Sequence, residues 1–123
     1  MRILLSIKPE YANKILSGEK CFEFRKTLPK NPNVKTVVIY ATKPIGKVVG
    51  EFEIDDIVSH APNELWEKTK DQAGISKKFF LEYFVDKKVA HAFKVGLVKP
   101  YDKHLNIEEF CNKKLPPQSF FYI

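Results

Sequence analysis

Histidine, cysteine and long apolar runs are all scarce in this chain of 123 residues, and each scarcity removes a class of function. His60, His91 and His104 are scattered, and Cys21 and Cys111 stand far apart, so no zinc-ligand spacing exists. Spacing alone does not assemble a serine nucleophile with a histidine base. There is no Walker A loop, no G-x-G-x-x-G, no G-x-S-x-G and no H-E-x-x-H. No metal site and no cofactor are therefore expected. No apolar stretch approaches the ~20 residues of a membrane span, and the opening MRILLSIKPE lacks the apolar region and cleavage site of a signal peptide. With so few cysteines, the simplest expectation is a cytoplasmic protein with reduced thiols and no membrane partner.

What is present suits one folded domain over residues 1–123. Hydrophobic residues make up 44% of the chain, enough for a packed core, and no repeat, low-complexity segment or linker divides it. Charge is unevenly placed. Residues 1–50 hold 10 Lys+Arg against 3 Asp+Glu, whereas residues 51–123 hold 11 against 12. The whole surplus of the +6 net charge thus lies in the first half. A basic patch of this kind favours phosphate-bearing partners, RNA or a nucleotide, although charge also serves solubility.

That half contains Gly18-Glu19-Lys20-Cys21-Phe22-Glu23-Phe24-Arg25. Read as a strand after a turn glycine, it sends Phe22 and Phe24 to one face and Cys21, Glu23 and Arg25 to the other. Strict alternation puts Lys20 with the phenylalanines, unless its long stem curls round or a bulge re-aims it. Lys20, Glu23 and Arg25 so close together suit a polar or anionic ligand. The same spacing also describes a solvated strand face with an ordinary Glu-Arg pair.

Elsewhere, Arg2–Ile7 is an expected strand. A helix follows from Lys8-Pro9-Glu10, with Tyr11, Ala12, Ile15 and Leu16 on one face and Gly18 just past its end. Residues 26–35 read as an exposed loop, Lys35–Ala41 as a buried strand, and Thr42-Lys43-Pro44 as its break. Lys47–Ser59 reads as a longer strand bent near Gly50, in which Glu51, Glu53 and Asp55 form a solvated face until the alternation slips at Asp56. Pro62 opens a second helix that Gly74 ends, and Ser76 caps a third whose stripe of Phe79, Phe80, Tyr83 and Phe84 reads as core. Lys87–Val98 is strand-like. Asn106 and Glu109 form a capping box, and the apolar end through Phe120, Phe121 and Tyr122 reads as a last strand closing the sheet. Several strands with short inserted helices predict an α+β fold: a small β-barrel of about five to six strands with helices packed around it.

Gly18, Lys20, Glu23 and Arg25 match G-x-K-x-x-E-x-R, and the chain on this ground resembles the ASCH domain family of the PUA-like superfamily. LLSIKPEYANKILSGEKCFEFRK resembles that family's opening. Tyr40-Ala41-Thr42, Val48-Val49-Gly50-Glu51-Phe52 and Pro117-Gln118-Ser119-Phe120 are similar to a subgroup described as predicted PUA-like transcriptional regulators. The resemblance implies a PUA-like barrel with a cleft beside the signature, lined by Lys20, Glu23 and Arg25, with Lys8, Thr42, Gln118 and Ser119 on its rim. Capping and turn chemistry are the alternative roles for those four. The resemblance also implies RNA or nucleotide binding, with Tyr40 or Phe121 stacking a base. Some ASCH proteins deacetylate N4-acetylcytidine with a threonine nucleophile, a lysine and a glutamate. Lys20 matches their lysine, but Glu23 stands where their threonine would be, and a carboxylate does not replace a hydroxyl nucleophile. Other ASCH proteins resemble ribonucleases. In that chemistry Glu23 would take a 2′-OH proton while Lys20 and Arg25 hold the developing charge. A protein-interaction module with an incidental basic face is the remaining reading.

Overall fold

The computed structural model describes all 123 residues. Six strands form one curled sheet: β1 (Arg2–Ile7), β2 (Phe22–Arg25), β3 (Thr36–Ala41), β4 (Lys47–His60), β5 (Ala90–Leu105) and β6 (Phe120–Tyr122). Their order is β2-β5-β4-β3-β1-β6. Only β1 and β3 are parallel; the other pairs are antiparallel. With four short helices on it, the sheet makes the half-barrel of an α+β, PUA-like fold. No helix is long and apolar enough to cross a membrane.

The curl has a local cause. The β4–β5 register shifts between Val48 and Gly50, between Phe52 and Ile54, and between Ile54 and Asp56. Each shift adds local twist and bends the strand. At Gly50 the backbones come so close that a Cβ would lie 2.8 Å from the Lys99 carbonyl oxygen. The bend expected near Gly50 and the slip at Asp56 are both register shifts.

Inside the curl, a core runs through Ile3, Leu5, Ile7, Val37, Ile39, Phe52 and Phe93 and takes in Ala12 and Ile15 of helix α1 (Pro9–Leu16). A second cluster lies under helices α2 (Pro62–Thr69) and α3 (Lys77–Tyr83), joining Leu65, Trp66, Phe80 and Phe84 to Phe22 and Phe24 of β2. Each fully buried side chain of this size contributes about 1.5–3 kcal/mol. A smaller cluster of Leu4, Val38, Tyr40 and Val48 is covered by helix α4 (Ile107–Phe110), which begins with the Asn106/Glu109 capping box.

Three boundaries differ from the sequence reading. α2 stops at Thr69, and a single 3-10 turn, Lys70–Gln72, intervenes before Gly74 (φ +67°). β5 runs on to Leu105, because Val98, Lys99, Pro100 and Leu105 keep pairing with β4 past the register shifts. β2 begins at Phe22, so Lys20 lies in the turn before it. Both cysteines are unpaired thiols.

Candidate functional site

A cavity of about 410 Å³ opens at the carboxyl ends of the parallel strands β1 and β3, where α1 starts and β2 passes. Its position follows from the first 25 residues. Pro9 starts α1, and Gly18, at φ +85°, ends it. The turn folds back so that the Lys20 N–H donates to the Lys14 carbonyl at 2.9 Å. β2 then antiparallels β5, with Glu23 opposite Phe93 and Arg25 opposite His91.

Lys20 and Glu23 are both buried, at 1% and 6% exposure. The Lys20 ammonium donates to the Ala73 carbonyl oxygen at 2.6 Å and lies over the rings of Phe24, at 4.7 Å, and Tyr11, at 5.5 Å. Lys20 therefore enters the cavity from the phenylalanine side, placed there by the turn that ties its backbone to Lys14 and not by strand alternation. Arg25 ties three elements together. Its Nη1 donates to Glu23 Oε2 at 3.3 Å and to the Ser6 carbonyl at 3.4 Å, and its Nη2 donates to Ser119 Oγ at 2.7 Å. Ser6 in turn holds the C-terminal segment, donating from its backbone to Ser119 and from its hydroxyl to Pro117.

Burial dominates the electrostatics. It lowers the Lys20 ammonium to about 8, against a weaker upward pull from Glu23. It raises the Glu23 carboxyl, while Lys20 and Arg25 pull it back down. The cluster holds two cations and one carboxylate, with Arg25 and Glu23 in direct ion contact. Glu23 and Arg25 do not form a solvated strand face: Glu23 is buried, and Arg25 is partly covered by contacts to Ser6 and Ser119.

Of the residues singled out in the sequence, Lys8, Lys20, Glu23, Arg25, Thr42 and Gln118 all line this one cavity, and Ser119 reaches it through Arg25. Lys8 makes no side-chain cap on α1; its ammonium lies 5.0 Å over the Phe79 ring. Tyr40 and Phe121 do not line it. They pack in the cluster under α4, because their strand positions point to the sheet's other face. The aromatics at the cavity are instead Tyr11, Phe24, Phe79 and Tyr83. The α3 stripe thus splits: Phe80 and Phe84 are core, whereas Phe79 and Tyr83 are half-buried and form a wall. Two adjacent aromatic pairs on a helix span an arc of about 140°, so the sequence leaves open which pair is fully buried and which sits at the edge.

Ser59 Oγ and His91 Nδ1 do meet across β4 and β5, at 2.6 Å, a pairing that sequence spacing does not reveal. Neither lines the cavity, and the contact is exposed. No three His, Cys, Asp or Glu side chains cluster to form a metal site.

Comparison with known proteins gives the same frame. The family described as the ASCH domain matches residues 5–109. A protein of Zymomonas mobilis named ASCH domain-containing ribonuclease is 30% identical over 123 residues, covering 98% of this chain and 82% of that protein. A Ureaplasma parvum protein named ATP synthase subunit alpha is 36% identical over 122 residues, of which this chain spans 15% of the length. The crystal structure of ASCH from Zymomonas mobilis superposes with a TM-score of 0.90 at 31% identity, covering 99% of this chain and 87% of that one. The family match spans the signature strand, and the structural likeness spans nearly the whole half-barrel; the chain belongs to the ASCH domain family.

Proposed function

We propose that this protein binds single-stranded RNA at the cavity and cleaves it. The observation that carries the reading is the Lys20–Glu23–Arg25 cluster, with Lys20 and Glu23 buried, Arg25 partly so and a surplus positive charge, beneath an aromatic-walled cavity. A cavity of about 410 Å³ falls in the range of small-ligand sites, and rings with a few convergent polar groups suit a nucleotide. The Zymomonas mobilis relative named a ribonuclease supports the same substrate class.

Each residue has a role that its surroundings favour. Glu23, its carboxyl raised by burial, takes the 2′-OH proton as the 2′-oxygen attacks the adjacent phosphorus. Arg25 orients Glu23 and, with Lys20, holds the charge on the non-bridging oxygens. The bond to the 5′-oxygen breaks, and Lys20, lowered to about 8, supplies the proton that this oxygen needs. Solvent exchange restores both groups. Amidohydrolysis is less well served, because Glu23 is engaged with Arg25 at the position of the nucleophile.

The test is incubation of labelled single-stranded RNA with the wild type, Glu23→Gln and Arg25→Ala, scoring retention and product separately. Glu23→Gln is expected to retain RNA while turnover falls ~10²–10⁴-fold, the usual loss for a general base. Arg25→Ala is expected to lower both. Retention without product in the wild type assigns binding alone, the regulatory role the resemblance implies. Wild-type protein that neither retains nor cleaves RNA overturns the reading.

A further inference from the structure

The cavity's rim carries a second pattern. Phe79 and Tyr83 stand four residues apart on α3 and both wall the cavity. Each has an ammonium over its ring: Lys8 lies 5.0 Å from the Phe79 centroid, and Lys26 lies 4.7 Å from that of Tyr83. Four residues of helix set the two positions about 6 Å apart along the axis. That is the scale on which neighbouring phosphates follow one another in an extended single strand. Both lysines are exposed, and cation–π pairing in water is weak, so either ammonium is free to meet a phosphate.

The other side of Phe79 has the opposite character. A second recess of about 530 Å³ shares Tyr11, Ile75 and Phe79 with the main cavity. It carries the carboxylates of Glu10, Glu19 and Asp71 against the single ammonium of Lys14. Lys14 is already engaged, 3.8 Å from Glu10, 4.0 Å from Glu19 and 3.3 Å from the Gly74 carbonyl oxygen. A phosphate backbone is repelled there.

We infer that the RNA strand runs along α3, with Lys8 and Lys26 contacting successive phosphates on either side of the nucleotide in the cavity, and that the acidic recess closes the other exit. The inference rests on the RNA reading proposed above and adds the path of the strand and the residues that hold its backbone. It assigns Lys8 and Lys26 to positioning, not to chemistry.

The experiment measures salt-dependent binding of labelled 2′-O-methyl single-stranded RNA, which lacks the attacking hydroxyl, to otherwise wild-type protein. Each phosphate contact on a single strand contributes about −0.7 to the slope of log K against log salt. Lys8→Gln and Lys26→Gln are each expected to flatten the slope by about 0.7, the double variant by about 1.4. Lys68→Gln, on the exposed face of α2, is the control and should leave the slope unchanged. Salt-sensitive binding that neither Lys8→Gln nor Lys26→Gln alters overturns the path and leaves the cavity reading standing. Equal flattening by Lys68→Gln replaces the path with a diffuse basic field and overturns it too. A wild type that binds no RNA defeats both proposals.

Discussion

Glu51 on β4 and Glu23 on β2 are both hydrogen-bonded carboxylates, but their burial and neighbours differ. Glu51 is half-buried and accepts a hydrogen bond from the Tyr101 hydroxyl at 2.7 Å. Burial, and then that bond, push the Tyr101 phenol far above its ordinary range, so it stays a neutral donor. Glu23 faces two cations and lies under a cavity. Hydrogen bonding does not distinguish the two places, since no buried side-chain polar atom anywhere lacks a partner. Charge and access do. One pair is locally complete; the other carries an unmatched positive charge beside a cavity. Surplus charge beside a cavity, and not burial of polar groups, is what sets the proposed site apart from the Glu51 pair.

The contrast breaks most sharply at Lys20. A buried ammonium whose pKa is lowered to about 8 is held against its own hydration. Lys20→Met is therefore expected to stabilise the protein at neutral pH while cutting the proposed RNA cleavage ~10²–10³-fold, the usual loss of one charge-stabilising donor. The pH dependence has a definite sign. Between about 8 and the ordinary 10.5 the unfolded chain binds more protons at this lysine than the folded one, so stability rises with pH across that window. Below about 8 the full cost remains, on the order of 3 kcal/mol. Denaturant titrations across that window should show the rise in wild type and not in Lys20→Met. Equal pH profiles, or a destabilised Lys20→Met, would remove the strained-lysine account.

Two glycines sharpen the same comparison at smaller amplitude. Gly18 and Gly74 both have left-handed backbones, at φ +85° and +67°. A Cβ at Gly18 meets nothing within 4 Å, but one at Gly74 would lie 2.6 Å from Lys20 Cβ and Cγ. Each Gly→Ala change costs about 1–2 kcal/mol of backbone strain. Only Gly74→Ala must also move Lys20 off the Ala73 carbonyl. Thermal melts and RNA cleavage together should separate them: Gly18→Ala loses stability alone, and Gly74→Ala loses stability and turnover. Equal cleavage in both variants would show that the backbone around Ala73 does not position Lys20.

The sequence made the helices and most strands legible because their signals are local: Pro9 and Pro62 at first turns, Ser76 and Asn106 at caps, and alternation in β4. Lys20, Glu23 and Arg25 were legible as a group because they share one short stretch. Their burial was not, because the residues that cover them come from far away: Ala73 before α3 and Ser119 near the C-terminus. The aromatic wall was missed for a related reason. Phe79 and Tyr83 differ from Phe80 and Phe84 only in which way the helix is turned, and contact with β2 and Trp66 sets that rotation. That Tyr40 and Phe121 lie away from the cavity is not legible either, because aromatic character does not report facing, which pairing fixes.

The smallest expected effect lies at the locally complete pair. Tyr101→Phe removes one hydroxyl and leaves the ring against Phe110, at 6.4 Å between centroids, so packing is preserved. Glu51 loses a donor, but it is only half-buried, and water can replace the hydroxyl. The cost is then near the middle of the range for a single bond, about 1 kcal/mol. Glu51→Gln keeps an acceptor for the Tyr101 hydroxyl and should cost less. If the pair acts only on itself, Tyr101→Phe combined with Glu51→Gln will cost less in denaturant melts than the sum of the two single changes, since each acts through the same bond. RNA cleavage should be untouched in all three variants, because neither side chain lines the cavity. A drop in turnover with Tyr101→Phe would mean that β4 and β5 transmit this pair to β2, across the strand pairing that sets Glu23 opposite Phe93. The separation between a locally complete structural pair and the proposed site would then fail at its simplest point.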